Sequence, residues 1–373
     1  MHRTRSSSRL AAIGVVALAA VATTAGTAQA DQPSLRTATL EPSKAHPHRA
    51  WTAARMRKAK PAKMPAVRSS RAGQVLHAAP DGAGQPIAGR RSGGLPRRSK
   101  SIRRPHRPDP RARAAMVGHE LPWQNNSYGY TTAAKPTGRL YFNLADGSPN
   151  VCSASVVATN VIVTAAHCVE DADGADHDGF MFIPGKYGSS EPYGRFYAKT
   201  NGVSRWDEWS TAPYNCSDGT GCGGYLGMDY AFITLKPNSL GYNVGQYTGW
   251  YGLWPNAPKG NMYVLGYPAE GTWSQYQDYP WHCSSMPQQW NRYAYEGRYD
   301  VGLSCYDTGG ASGGPWLMTY NGGTYVASVM SHMGVVHQQD PSCFIMCARY
   351  GLSFFGPYFD NDTIRLFNYA KTK

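Results

Sequence analysis

Ser312 stands in Asp307-Thr308-Gly309-Gly310-Ala311-Ser312-Gly313-Gly314-Pro315, one hydroxyl set among glycines. A serine hydroxyl is a weak nucleophile until a base takes its proton. Glycines around it let backbone N–H groups come close to a reacting carbonyl without a Cβ in the way. A candidate base lies upstream in Thr164-Ala165-Ala166-His167-Cys168, because an imidazole ionises near neutrality. Between the two lies Asp229, in Gly227-Met228-Asp229-Tyr230-Ala231. A short acid there suits an orienting role: it holds the imidazole in one tautomer and stabilises the imidazolium. Gly310 and Ser312 would turn their N–H groups toward an oxyanion, each donor being worth about 2.7–4 kcal/mol. Taken singly, His167 reads as a loop histidine, Asp229 as a strand-start turn residue and the glycine run as a plain turn. Together, in the order His, Asp, Ser, they describe acyl transfer through a covalent intermediate.

The elements that must position these groups are short strands. Val156-Val157, the turn Thr159-Asn160 and Val161-Ile162-Val163-Thr164 predict a buried hairpin that delivers His167. Tyr230 to Leu235, closed by Lys236-Pro237, predicts a strand just after Asp229. Met262 to Leu265, ended by Gly266-Tyr267-Pro268, and Thr324 to Met330 predict two more. Asn321-Gly322-Gly323 between apolar runs predicts a hairpin turn. Helical periodicity is confined to Asp362–Lys371. The profile is all-β and antiparallel, and residues 117–373 form the predicted domain.

The first 116 residues are different. They hold 23 Lys and Arg against 4 Asp and Glu, whereas 117–373 holds 14 against 20. The formal charge of +13 therefore belongs to the N-terminal third, and the β domain is mildly acidic. Nucleic-acid binding would need a basic folded domain, so it is excluded as a reading. Residues 1–30 carry Arg3, Arg5 and Arg9, an apolar run from Ala11 to about Ala22, and Ala28-Gln29-Ala30, a secretory signal-peptide pattern. The run is short for a membrane span, no later run is long enough, and no membrane role is expected after signal removal. Asp31 to Met116 has one aromatic residue, Trp51, and is rich in Arg, Pro, Ala, Ser and Gly. Such a segment buries too little apolar surface to fold in isolation. It reads as a propeptide or as a flexible linker, with tethering to anionic polymers as a further reading.

Eight cysteines (152, 168, 216, 222, 283, 305, 343 and 347) all lie in the acidic part. An even count behind a secretory signal predicts disulfides and an extracellular location. Neighbouring pairs in the chain are favoured, but spacing alone does not fix connectivity. No Cys/His spacing matches a zinc site. Asp171, Asp173, Asp176 and Asp178 lack the ligand pattern of a known calcium loop and read as a solvated loop. No cofactor and no metal are expected.

The segments from Cys152-Ser153-Ala154-Ser155 to Thr164-Ala165-Ala166-His167-Cys168, Asp229 before its strand, and Gly310-Ala311-Ser312-Gly313-Gly314-Pro315 resemble the chymotrypsin/trypsin superfamily of serine peptidases. Gly266-Tyr267-Pro268 and Thr308-Gly309-Gly310-Ala311-Ser312-Gly313 are more similar to its secreted bacterial branch, which contains the V8-like glutamyl endopeptidases. The resemblance covers about residues 117–373. It implies two six-stranded antiparallel β-barrels with the site between them, a Cys152–Cys168 disulfide, and a secreted serine endopeptidase with catalytic His167, Asp229 and Ser312. Its implied partners are protein or peptide substrates and its own propeptide, and the implied state is a monomer. Ala311 departs from the trypsin pattern, where an aspartate before the serine captures the new N-terminus. Maturation within Arg111–Val117 would therefore act in another way.

Specificity is less sharply drawn. The resemblance places Ser331, His332, Met333 and Gly334 on the strand lining the substrate pocket, with His332 in position to bind a P1 carboxylate. Asp307 opposes that reading, since an aspartate in the pocket favours Arg or Lys. Basic, acidic and bulky-excluding pockets all stay open. A rival class is a non-catalytic homologue acting as a secreted binding protein, and an esterase on this fold is a third reading.

Overall fold

The β-branched run Val161–Thr164 forms a strand with every side chain buried, and strands of this kind build the protein in a computed structural model. The structure describes residues 34–38, 50–63, 74–76, 84–91, 124–125, 135–171, 174–210, 226–270, 277–285, 287–292, 298–303, 305, 308–334 and 353–373. The expected signal segment, the maturation stretch Arg111–Val117, Asp307, Asp173 and four of the cysteines (216, 222, 343 and 347) lie outside these residues.

Apart from the short strands Gln74–Leu76, Arg90–Arg91, Gln124–Asn125, Gly249–Trp250 and Gly252–Leu253, the strands begin in chain order with β1 (Leu35–Ala38), β2 (Lys60–Pro61), β3 (Thr137–Asn143), β4 (Pro149–Val156) and β5 (Val161–Thr164). There follow β6 (Asp178–Pro184), β7 (Phe196–Trp206) and β8 (Ala231–Leu235). The remainder are β9 (Met262–Gly266), β10 (Trp281–Ser285), β11 (Pro287–Arg292), β12 (Tyr299–Leu303), β13 (Pro315–Tyr320), β14 (Gly323–Val329), β15 (His332–Gly334) and β16 (Ser353–Pro357).

Strands β3 to β8 close an antiparallel barrel in the order β7-β8-β5-β4-β3-β6. Closure comes from β6 meeting β7 at Phe182↔Phe196 and Met181↔Tyr197. Leu140, Phe142, Ala154, Ile162, Phe182, Phe196, Val203 and Ile233 fill it. The second half carries its strands as two antiparallel sheets among the described residues, one with β14-β13-β9-β10 and one with β15-β16-β12-β11. The chain steps from one sheet to the other between β10 and β11, between β12 and β13 and between β14 and β15. A Cys283–Cys305 disulfide joins them as well. The expected all-β fold is thus present, with one barrel closed by hydrogen bonds and the second half laid out as two sheets. The β13–β14 turn follows its sequence signal: Asn321 and Gly322 have φ of 47° and 74°, the left-handed pair that a tight hairpin needs. Helix α2 (Asn361–Ala370) has an Asp360–Thr363 capping box. Among the described residues, no helix is long and apolar enough to cross a membrane.

Parts of the basic N-terminal segment are ordered, because the β domain supplies the apolar partners the segment lacks. Strand β1 pairs with β7 from Leu35↔Trp206 to Ala38↔Val203. Helix α1 (Ala53–Lys58) is capped by the Thr52 side chain and buries Met56. Trp51, 5 % exposed, packs with Met56 and Ala59 against Tyr141, Val151, Met181 and Ile183. Its ring N–H donates to the Gly179 carbonyl at 2.8 Å, and its own carbonyl accepts from Arg195 at 2.7 Å. Strand β2 then runs parallel to the start of β4, Pro61 opposite Val151, and the Ala62 N–H donates to the Val151 carbonyl at 3.1 Å. Further along, Ile87 exchanges hydrogen bonds with Leu253 at 2.7 and 3.0 Å. Residues 33–373 form one compact unit.

The described aspartates of the acidic loop engage neighbouring side chains rather than being merely solvated. Asp171 Oδ1 lies 3.0 Å from His177 Nε2, and Asp176 Oδ1 lies 2.7 Å from the buried Arg205. Asp178 Oδ1 accepts from the Asn143 amide at 2.7 Å.

Candidate active site

His167 lies in a single 3₁₀ turn, Ala166–Cys168, directly after β5. A disulfide ties the next residue, Cys168, to Cys152 in β4, so the turn is anchored on both sides. Asp229 follows another 3₁₀ turn, Leu226–Met228, and leads into β8, the neighbour of β5. Adjacent strands thus bring two distant residues together. The His167 backbone N–H donates to Asp229 Oδ1 at 2.9 Å, and His167 Nδ1 lies 2.8 Å from Asp229 Oδ2. The Ser331 hydroxyl donates to the same Oδ2 at 2.5 Å. Burial alone would raise the Asp229 carboxyl, but the His167 and Ser331 contacts outweigh it and hold the group below its ordinary range. A charged Asp229 takes the Nδ1 proton as its hydrogen bond, so Nε2 is left as the basic nitrogen.

Ser312 sits in the turn before β13, with its carbonyl accepting from the Ser153 N–H of β4 at 2.7 Å. The Gly313 N–H donates to the Met330 carbonyl at 2.7 Å, just past β14. The serine turn is therefore stitched to both halves of the molecule. Ser312 Oγ and His167 Nε2 are both buried without a hydrogen-bond partner, and they are not bonded to each other here. The turn needs glycine at two places. Gly313 has φ of 76°, and a Cβ there would meet Thr164 Oγ1 at 2.1 Å. Gly310 has φ of 98°, and a Cβ would lie 2.8 Å from that of Ala269.

The peptide planes around Gly310 are held from behind. The Gly309 carbonyl accepts from the Ala269 N–H at 2.9 Å. In a trans peptide the N–H points opposite to the carbonyl, so this bond turns the Gly310 N–H the other way. The Gly310 carbonyl accepts from Ser153 Oγ at 2.9 Å and from Arg139 at 3.2 Å. Arg139 is wholly buried in β3 and also donates to the Tyr267 carbonyl. Burial pushes its guanidinium pKa down. Among the described residues the N–H groups of Gly310 and Ser312 have no hydrogen-bond partner.

The pocket candidates fall differently. Ser331 turns inward to Asp229. His332 is buried, with Nδ1 2.8 Å from Ser331 Oγ and Nε2 3.0 Å from Asp300 Oδ2. Both ring nitrogens face protein groups, not open space. Arg139, Ser153 and Asp300 escaped sequence reasoning. Nothing local marks them, because each acts on a residue more than 30 positions away.

Residues 152–326 match the family model of the trypsin-like peptidase domain. The protein is accordingly a serine peptidase, a hydrolase. Among solved structures, the chain is similar to the protease Anisep from Arthrobacter nicotinovorans, at 25 % identity and TM-score 0.49, over 64 % of this chain and 97 % of that one. It is similar to the thermostable serine protease AL20 from an extremophilic microorganism, at 26 % identity and TM-score 0.47, over 65 % and 99 % of the two chains. A third is a Glu endopeptidase in complex with MPD, at 16 % identity and TM-score 0.49, over 69 % and 100 %. No curated protein matches the chain in sequence.

Proposed function

We propose that this chain is the precursor of a secreted serine endopeptidase of the V8-like branch, with Ser312 as nucleophile. His167 Nε2 takes the hydroxyl proton as Oγ attacks the scissile carbonyl. Asp229 holds the resulting imidazolium. The Gly310 and Ser312 N–H groups stabilise the oxyanion. His167 then gives the proton to the leaving amine, and water hydrolyses the acyl-enzyme by the reverse roles. The observation that carries this reading is the two-point grip of Asp229 on His167, which fixes the tautomer the chemistry needs. Two disulfides favour an oxidising compartment.

Residues 31–116 act as its propeptide. In support, Ala62 binds the Val151 carbonyl on the β4 edge whose Ser153 N–H binds Ser312, two residues or about 6.8 Å along the strand. The docked segment therefore crowds the approach to Ser312, and its removal opens it. P1 preference remains a choice among basic, acidic and small side chains. The engaged His332 ring disfavours the acidic one through that residue.

Cleavage of a mixed peptide library by the matured protein, with Ser312→Ala alongside, tests the function. The expected loss in kcat is about 10⁶. The missing hydrogen bond between Ser312 Oγ and His167 Nε2 favours one rival, a non-catalytic binding protein. A matured wild type that cleaves nothing would select that rival.

A further inference from the structure

Behind Asp229 lies a second buried histidine–aspartate pair that the chemistry above does not use. His332 on β15 reaches across β16 to Asp300 on β12, and both are essentially unexposed. The imidazole stacks on Phe355, 5.4 Å between centroids and 15° between planes. The contacts run in series: Asp300 Oδ2 to His332 Nε2 at 3.0 Å, Nδ1 to Ser331 Oγ at 2.8 Å, and Oγ to Asp229 Oδ2 at 2.5 Å.

Proton bookkeeping gives this series a direction. Ser331 has one hydroxyl proton. Against a charged carboxylate at 2.5 Å, that proton must lie between Oγ and Oδ2, or two lone pairs would face each other in a buried site. Oγ then accepts on its other side, so Nδ1 of His332 must carry a proton. Nε2 in turn faces Asp300 Oδ2, and that contact also needs a proton. It rests either on Nε2 as an imidazolium or on the carboxyl as a neutral acid, and both arrangements leave Nδ1–H aimed at Ser331. Without Asp300 the ring is free to take the other tautomer, in which Nδ1 competes with Asp229 for the serine proton.

We propose that His332 and Asp300 are positioning residues for the acid–base pair: they lock the Ser331 hydroxyl as a donor to Asp229, and through it fix Asp229 on His167. The proposal rests on the catalytic reading of His167, Asp229 and Ser312. It gives His332 an internal task in place of substrate binding.

The test is a double-mutant cycle on the matured enzyme with His332→Phe, which keeps a ring against Phe355, and Ser331→Ala. Each single change should lower kcat about tenfold, the worth of a hydrogen bond to a charged group, with KM little changed. The double variant should be no worse than Ser331→Ala, because both act through one hydroxyl. Losses that multiply overturn the proposal. Asp300→Asn, whose amide supplies a proton to Nε2, should recover most of the kcat lost in Asp300→Leu, and equal losses count against it. Should the variants fold poorly, ¹⁵N NMR of the unmodified enzyme decides. A proton on His332 Nδ1 is expected, and a bare Nδ1 sinks the idea. A matured wild type without activity overturns the function itself, whereas an active wild type with a multiplicative cycle overturns only the role of His332.

Discussion

Asp229 is the residue whose surroundings make the sharpest claim. Its carboxyl is held below the ordinary value by contacts that exist only in the folded state. A depressed carboxylate adds stability above its unfolded value of about 3.9, and that stability is lost as pH falls through the folded value. The urea midpoint of the wild protein should therefore exceed that of Asp229→Asn near neutrality. The gap should narrow as pH drops below about 4. A gap that stays constant down to pH 2 would contradict the assignment. Ser312, His167 and Asp229 stood out in the sequence because their signals are local: glycines beside the serine, a β-branched strand before the histidine, an apolar strand after the aspartate. Arg139 gave no such signal. Every side chain of Thr137–Asn143 is buried, so nothing in the pattern singles out a charged residue whose task is to hold carbonyls 128 and 171 positions away.

At the scale of elements, the serine turn and the histidine turn each depend on one local device. Gly313 combines a left-handed φ with contacts from Thr164, Ser153 and Ala165. Gly313→Ala should cost at least about 2 kcal/mol from backbone strain and collision together, read as a lower denaturant midpoint. The Cys152–Cys168 bridge spans a sequence separation of 16. Replacing both cysteines by alanine should cost about 3 kcal/mol in the chain-entropy model. Calorimetry showing no fall in Tm would mean the histidine turn holds itself. Short strands were legible where β-branched runs meet a turn, as at Val161–Thr164 and on either side of Asn321-Gly322. The Asp362–Lys371 helix was legible too, shifted by one residue at each end. The pairing of strands into sheets was not, because register is set by contacts between segments that local patterns do not relate.

For the whole molecule, the least legible part was the N-terminal segment. Its composition lacks an apolar period, and the expectation drawn from that concerned the segment by itself. In the full chain, Trp51, Met56, Ala59 and Ala62 find partners on the β domain and are buried there. Trp51→Ala should weaken this docking by about 3–5 kcal/mol, the usual cost of emptying a buried tryptophan site. The precursor's residual cleavage of small peptides should then rise. A variant precursor as silent as the parent would show that the docked segment does not guard the cleft.

The contact of Ala62 with Val151 belongs to a single polypeptide, and that has a consequence in mass action. While the chain is whole, the segment meets its groove at an effective concentration of about millimolar, whatever the protein concentration. One cut in the expected maturation stretch Arg111–Val117 would leave the pairings of Leu35–Ala38, Lys60–Pro61 and Ile87 with the β domain unchanged but make the partners two molecules. If the docked segment keeps the enzyme silent, as proposed, that silence then becomes a matter of dilution. Nicked enzyme should stay quiet where it is concentrated and gain activity per mole as it spreads. Serial dilution of nicked protein would reveal this, and a specific activity independent of concentration would rule it out.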